Sequence, residues 1–104
     1  MVKVTWTDQA LDDLDSICLF IARDSLQYAK LFAIRAFEAT DRLEIFSKSG
    51  RVDPEINRED IREIILGNYR IIYRIIAEEV EILTVHHGAK PLEFDNLSKT
   101  TPSA

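Results

Sequence analysis

Residues 61–87 read IREIILGNYRIIYRIIAEEVEILTVHH, three strand-like runs with almost nothing between them. The runs are 61–66, 69–77 and 80–86, and the connections are Gly67 with Asn68 and Glu78 with Glu79. Two residues can join antiparallel neighbours, whereas parallel strands need a crossover of a dozen residues or more. The segment therefore predicts an antiparallel meander. Alternation along 69–77 sets Tyr69, Ile71, Tyr73 and Ile75 on one side and Arg70, Ile72, Arg74 and Ile76 on the other. The first side is apolar or aromatic throughout and needs a cover. The second mixes cations with aliphatics, and we expect it to be left uncovered.

The cover lies upstream. The stretch VKVTW (2–6) is a further strand candidate. Thr7 or Asp8 is placed to cap a helix over 8–23, whose stripe is Ala10, Leu11, Leu14, Ile17, Cys18 and Ile21. Ser25 caps a second helix running to about residue 46, with Ala29, Phe32, Ala33, Ala36, Phe37, Thr40 and Leu43 on one face. The short joint predicts a helix hairpin. Residues 47–60 contain Gly50 and Pro54 among polar residues and read as a loop. The predicted order is β-α-α-β-β-β, an α+β fold with a helix hairpin on one face of a small, mainly antiparallel sheet. We read residues 1–97 as one domain and 98–104 as a polar tail.

Charge narrows the function classes. The formal net charge is −5, which weighs against sequence-independent nucleic-acid binding, and we expect no sequence-specific nucleic-acid binding by the chain alone. No apolar run is long enough to span a membrane, and MVKVTW lacks the form of a signal peptide, so the expected location is cytoplasmic. Cys18 is the single cysteine and sits in a helical stripe, where a core thiol is the natural reading. Arg51, Arg62, Arg70, Arg74 and Lys90 are the cations a folded sheet would bring together. Their chemistry suits phosphate or carboxylate, or else surface ion pairs with nearby glutamates. His86 and His87 offer an acid or base, or simply hydrogen bonds. With two histidines and one remote cysteine, we expect no metal site and no cofactor. Leu19, Phe20, Leu31 and Ile34 fall off the helical stripes and are candidates for an exposed apolar patch.

The ordered set Gly50–Arg51, Pro54–Glu55, Ile61-Arg62-Glu63, Tyr69-Arg70-Ile71-Ile72-Tyr73 and His87-Gly88-Ala89-Lys90 resembles the RelE/ParE superfamily of bacterial type II toxins. The resemblance covers about residues 2–92 and implies a cognate antitoxin as partner. It leaves two activities open. RelE-like members are ribosome-dependent mRNA endonucleases, and on this chain that set would fall on Arg62, Arg70, His86, His87 and Lys90. The strand before the Y-R-I motif keeps one cation where such nucleases carry lysines, and the expected late tyrosine is absent from PLEFDNL. ParE-like members bind and inhibit DNA gyrase without catalysis, and HGAK is close to their common H-G-A-R. The resemblance thus implies a ParE-like gyrase inhibitor, with Arg51, Arg62, Arg70, Arg74 and Lys90 as binding cations and Leu19, Phe20, Leu31 and Ile34 facing the antitoxin. The alternatives are a RelE-like endoribonuclease and a non-toxic, toxin-derived binding module.

Overall fold

A computed structural model describes residues 1–88. The chain runs β1 (Lys3–Trp6), α1 (Asp8–Ala22), α2 (Leu26–Asp41), a 3₁₀ turn (Arg42–Glu44), β2 (Arg51–Val52), β3 (Ile61–Leu66), β4 (Tyr69–Ile76) and β5 (Glu79–His87). The five strands lie in the order β1-β5-β4-β3-β2. Strands β3, β4 and β5 form the predicted antiparallel meander, and β1 joins β5 in parallel at one edge.

Each turn follows from its register. Leu66 pairs with Tyr69, so Gly67 and Asn68 close the first hairpin, and Gly67 takes the positive φ of 59° that glycine adopts at no steric cost. Ile76 pairs with Glu79, so the second loop is Ala77 with Glu78, one residue earlier than the sequence pattern suggested. Its first residue, Ala77, also has a positive φ, 51°, without glycine's freedom.

Thr7 joins strand to helix. Its main-chain N–H donates to the Ile82 carbonyl at 3.0 Å, and its hydroxyl donates to Ile82 at 2.8 Å. The same hydroxyl accepts from the Ala10 N–H at 3.1 Å, so Thr7 rather than Asp8 is the N-cap. A bulge lies opposite, because Ile72 pairs with Thr84 but Tyr73 pairs with Ile82. Asp13 of α1 takes up the main-chain donor nearby, accepting from the Val85 N–H at 3.1 Å and from the Thr84 hydroxyl. Ser25 caps α2 as expected. That α-helix stops at Asp41 and tightens into the 3₁₀ turn instead of running to residue 46. Thr40 bonds back to the carbonyls of Ala36 and Phe37, both at 3.1 Å, in the pattern by which a threonine hydroxyl bends a helix.

The helices cover one sheet face, as predicted. Ala10, Leu14, Ala36 and Leu43 pack with Ile71, Tyr73, Val80, Ile82 and Val85 into the main core. Trp6 meets Phe37, and Phe32 meets Tyr69 edge-on with centroids 5.2 Å apart. The opposite face departs from expectation. It carries a second, small core of Ile61, Ile72 and Leu83, roofed by Ile56 from the 53–60 loop. Arg70 and Arg74 do point to this side, but the side is not open.

Candidate functional site

The loop that roofs the second face is built around Asp53. One carboxylate oxygen accepts the N–H groups of Glu55 at 2.7 Å and Ile56 at 3.3 Å, which folds the chain tightly over Pro54. The Asp53 carbonyl accepts from the Asn57 N–H at 2.7 Å, and Asn57 takes a positive φ of 54°, a conformation asparagine tolerates. The far end of the loop is tied to the sheet, with the Ile75 N–H donating to the Asp60 carbonyl at 2.8 Å.

The other Asp53 oxygen faces inward and meets Arg70 Nη1 at 3.0 Å. The same nitrogen lies 3.4 Å from Glu63 Oε2 and 3.7 Å from Glu55 Oε1. Glu63 Oε1 accepts from Arg51 Nε at 2.5 Å. Asp53, Glu63 and Arg70 are all buried. Two buried carboxylates are thus held by one buried and one exposed guanidinium. Such a cluster is stable only as a set, because removing one partner leaves an uncompensated charge in a low-dielectric place.

The predicted cations separate into distinct roles. Arg51 and Arg70 come together, but around Glu63 rather than around an open site. Arg62 binds main-chain carbonyls, those of Glu59 and Gly50 at 3.0 Å each and that of Lys48 at 3.2 Å. Arg74 pairs with Glu81 at 3.0 Å. Lys90 lies outside the described residues. His87 packs edge-on against Tyr69 with ring centroids 5.5 Å apart, and His86 sits opposite Arg70 on β5. Among the described residues, no group of three or more His, Cys, Asp or Glu side chains is placed to hold a metal ion.

Two residues to which the sequence pattern gave no site role organise this region. Tyr73 is buried, and its hydroxyl donates to the Ser47 carbonyl at 2.8 Å while accepting the Gly50 N–H at 2.9 Å. Burial pushes the Tyr73 phenol up from its ordinary value, against smaller opposing effects of the Gly50 N–H and Arg62. A Cβ on Gly50 would fall 2.6 Å from the Tyr73 hydroxyl and 2.8 Å from the Glu63 carbonyl, so only glycine fits there. Asp53, the second missed residue, carried no signal beyond standing before a proline.

The helix hairpin presents apolar surface. Leu19, Phe20 and Ile34 are exposed and Leu31 is half-buried. Leu26 and Tyr28, at the start of α2, are exposed as well. Beside them, Tyr28, Leu31, Phe32, Arg35, Leu66 and Tyr69 line a pocket of about 220 Å³ between the hairpin and the β3–β4 turn. Cys18 is half-buried, and burial, aided by the Asp15 charge, raises its thiol pKa. No described helix is long and apolar enough to cross a membrane.

Residues 4–92 match the family model described as the ParE toxin of the type II toxin–antitoxin system parDE. The chain belongs to the ParE toxin family. A protein of Sinorhizobium fredii that bears the name "Putative toxin Y4kP" is 37% identical over 88 residues, covering 83% of this chain and 88% of that protein. Among solved structures, the chromosomal ParDE toxin–antitoxin system from P. aeruginosa contains a chain that superposes with a TM-score of 0.69. That match has 21% identity and covers 84% of this chain and 96% of the other. It shows that the two share a fold. In this ParE-family member, the arginine of the Y-R-I motif is Arg70, and its setting is the buried carboxylate cluster.

Proposed function

We propose that this ParE-type toxin acts by binding DNA gyrase in the cytoplasm, without catalysis, and is silenced by a cognate antitoxin. One observation carries the non-catalytic reading. Arg70 and Arg62, the cations a nuclease would aim at a phosphorane, are committed to the chain's own oxygens. Phosphodiester cleavage needs positive charge at the transferring phosphate together with a placed acid and base. A guanidinium held between Asp53 and Glu63 has its charge balanced from within. Arg51 remains the exposed cation of the cluster and is the residue we assign to partner contact, with Arg74 at the end of the same face.

The antitoxin reading rests on the family and on the apolar helix hairpin. An amphipathic helix fits Leu19, Phe20, Leu31 and Ile34, a surface apolar enough to bury and contiguous with the pocket beside Tyr28. Expression of the chain alone tests the proposal. Growth arrest with induction of the DNA-damage response, relieved by the antitoxin, is the expected result. Arrest with cut mRNA would favour the endonuclease, and no arrest would favour a binding module that has lost toxicity. Leu31→Asp with Ile34→Asp should weaken antitoxin affinity by about 100-fold, since centrally placed apolar anchors carry most of an interface.

A further inference from the structure

Strand β1 closes the sheet at the end opposite β2. It pairs with β5 in parallel, from Lys3 with Glu79 to Trp6 with Ile82. In such a pair, alternate residues give both main-chain groups to the same neighbour. The Lys3 N–H donates to the Glu78 carbonyl at 3.2 Å and the Thr7 N–H to the Ile82 carbonyl at 3.0 Å, so Lys3, Thr5 and Thr7 face β5. Val2, Val4 and Trp6 therefore turn their N–H and C=O outward. The Val2 N–H is taken by the Glu44 carbonyl at 2.9 Å. The outward groups of Val4 and Trp6 have no main-chain partner among the described residues. The helix side of this edge is apolar. Val4 and Trp6 pack against the main core, and the Trp6 ring lies 4.9 Å from that of Phe37, which is 41% exposed. Ile45, next to the Glu44 that holds Val2, is 68% exposed.

A strand added here must satisfy the N–H and C=O of Val4 and of Trp6. A second β1 running antiparallel does so in one register. With a twofold axis through Thr5, Val4 of each copy exchanges both bonds with Trp6 of the other. Centring the axis on Val4 would set Trp6 against Val2, whose N–H Glu44 already holds. Centring it on Trp6 would set Val4 against Asp8, which lies in α1. The Thr5 register also sorts the side chains. Thr5 meets Thr5, a favourable cross-strand pair, and Lys3 meets Thr7 rather than another Lys3. A lysine on an edge strand guards against pairing where its charge is trapped; Lys3 is exposed at the start of the strand, and in this register the Asp8 carboxylate follows the Thr7 it faces. The axis reverses the strand, so Phe37, beside Trp6, is carried toward the Val2 end of the other copy, where Ile45 is exposed.

We infer that two copies of this chain join through their β1 edges, across a twofold axis at Thr5, and merge their sheets into one. Self-complementarity selects this occupant. The register uses every outward main-chain group of both copies, opposes no charge to its like, and sets each exposed Phe37 toward an exposed Ile45. The axis stands perpendicular to the sheet, so both helix hairpins lie on the same side of the joined sheet. Arg51 stays clear, because β2 is at the far end of each sheet. The contact is short, which places it among the small interfaces that associate and dissociate readily. The inference does not depend on gyrase being the target.

The test uses the full chain in sedimentation equilibrium over a concentration series. We expect a monomer–dimer equilibrium with a Kd of about 1–100 μM. Hydrogen exchange on wild type reads the register: the Val4 and Trp6 amides gain protection as concentration rises, whereas those of Thr5 and Thr7, bonded to β5, are protected throughout. Thr5→Lys sets a cation beside Glu81 within the chain and against its own copy across the axis, and should weaken the dimer by at least about 10-fold with the melting temperature kept. Thr5→Cys should cross-link to itself on oxidation and Lys3→Cys should not, since antiparallel neighbours at a non-hydrogen-bonded pair have Cα atoms about 4.5 Å apart, within reach of a disulfide. A chain that stays monomeric up to about 1 mM overturns the inference. So does a dimer in which the Val4 and Trp6 amides exchange freely, or one that a folded Thr5→Lys leaves intact. Should Thr5→Lys not fold, exchange on the wild-type chain decides alone.

Discussion

The two faces of the sheet are closed by different physics. On one, two helices lay Ala10, Leu14, Ala36 and Leu43 against Ile71, Tyr73, Val80, Ile82 and Val85, with Asp13 of α1 tied to β5 beside them. On the other, Ile61, Ile72 and Leu83 have Ile56 above them among the described residues, and the loop carrying Ile56 is drawn down by Asp53 on Arg70. The helix side tolerates error, since burial is non-directional and spread over many residues. The loop side concentrates its hold in a few oriented groups, each costly to leave unmatched. The difference also separates roles. The ionic cluster shapes the loop and the short β2 and leaves Arg51 as its exposed cation, whereas the surface we propose for the antitoxin is the apolar helix hairpin.

The largest expected effect breaks the loop side. Arg70→Ala leaves Asp53 and Glu63 buried without their shared cation and should destabilise the fold by about 3–5 kcal/mol, read as a fall in the urea midpoint. A change within about 1 kcal/mol would mean the cluster acts as a surface pair. Next comes a matched pair of neighbours on β4. Ile71 and Ile72 are both fully buried but point to opposite faces. Ile71→Ala should cost toward the upper end of the ~2–5 kcal/mol typical of such truncations, because the helix-packed core cannot close around the void. Ile72→Ala should fall near the lower end, since a loop can settle inward further than two packed helices can. Equal costs would show that the loop is as rigid a lid as the helices.

Tyr73 bridges the two sides, in the helix-side core but tying down the chain before β2. Tyr73→Phe should cost about 1–3 kcal/mol by leaving the Gly50 N–H and Ser47 carbonyl short of a partner. It also has a pH signature. The folded-state pKa is raised above the ordinary value of 10.0, chiefly by burial. The stabilisation is therefore full below about 10 and is lost as pH rises through the folded value, because the unfolded chain ionises first. Wild type should lose stability in that alkaline window more steeply than Tyr73→Phe does, in denaturation curves taken at several pH values. The smallest effect is at the β4–β5 turn, where Ala77 is exposed. Ala77→Gly should stabilise by up to about 1 kcal/mol, since glycine relieves the cost of a positive φ but adds unfolded-state entropy.

The sequence made the helix side legible, and the loop side largely not. Period-2 alternation in 69–76 and the helical stripes are signals repeated over many residues, so the meander, the edge strand and the helix cover all follow from them. The Leu19, Phe20 and Ile34 patch was visible in the same way, as what the stripes leave over. The second face depended on single residues. Asp53 and Glu63 looked like ordinary surface acids, and only the fold brings Asp53 to Arg70 across seventeen positions of sequence. A two-residue strand has no period to detect, and the tie from Tyr73 to Gly50 spans twenty-three positions. The uncovered cationic face expected from Arg70 and Arg74 thus became a covered, neutralised one.

The proposal that this toxin binds rather than cuts is tested most directly by the purified chain in two parallel reactions, DNA gyrase supercoiling relaxed plasmid and ribosomes translating a defined mRNA. The account predicts loss of supercoiling, restored by the antitoxin, with the mRNA intact. Intact supercoiling with site-specific cleavage of the mRNA, abolished in a folded Arg62 or His87 variant, would contradict it.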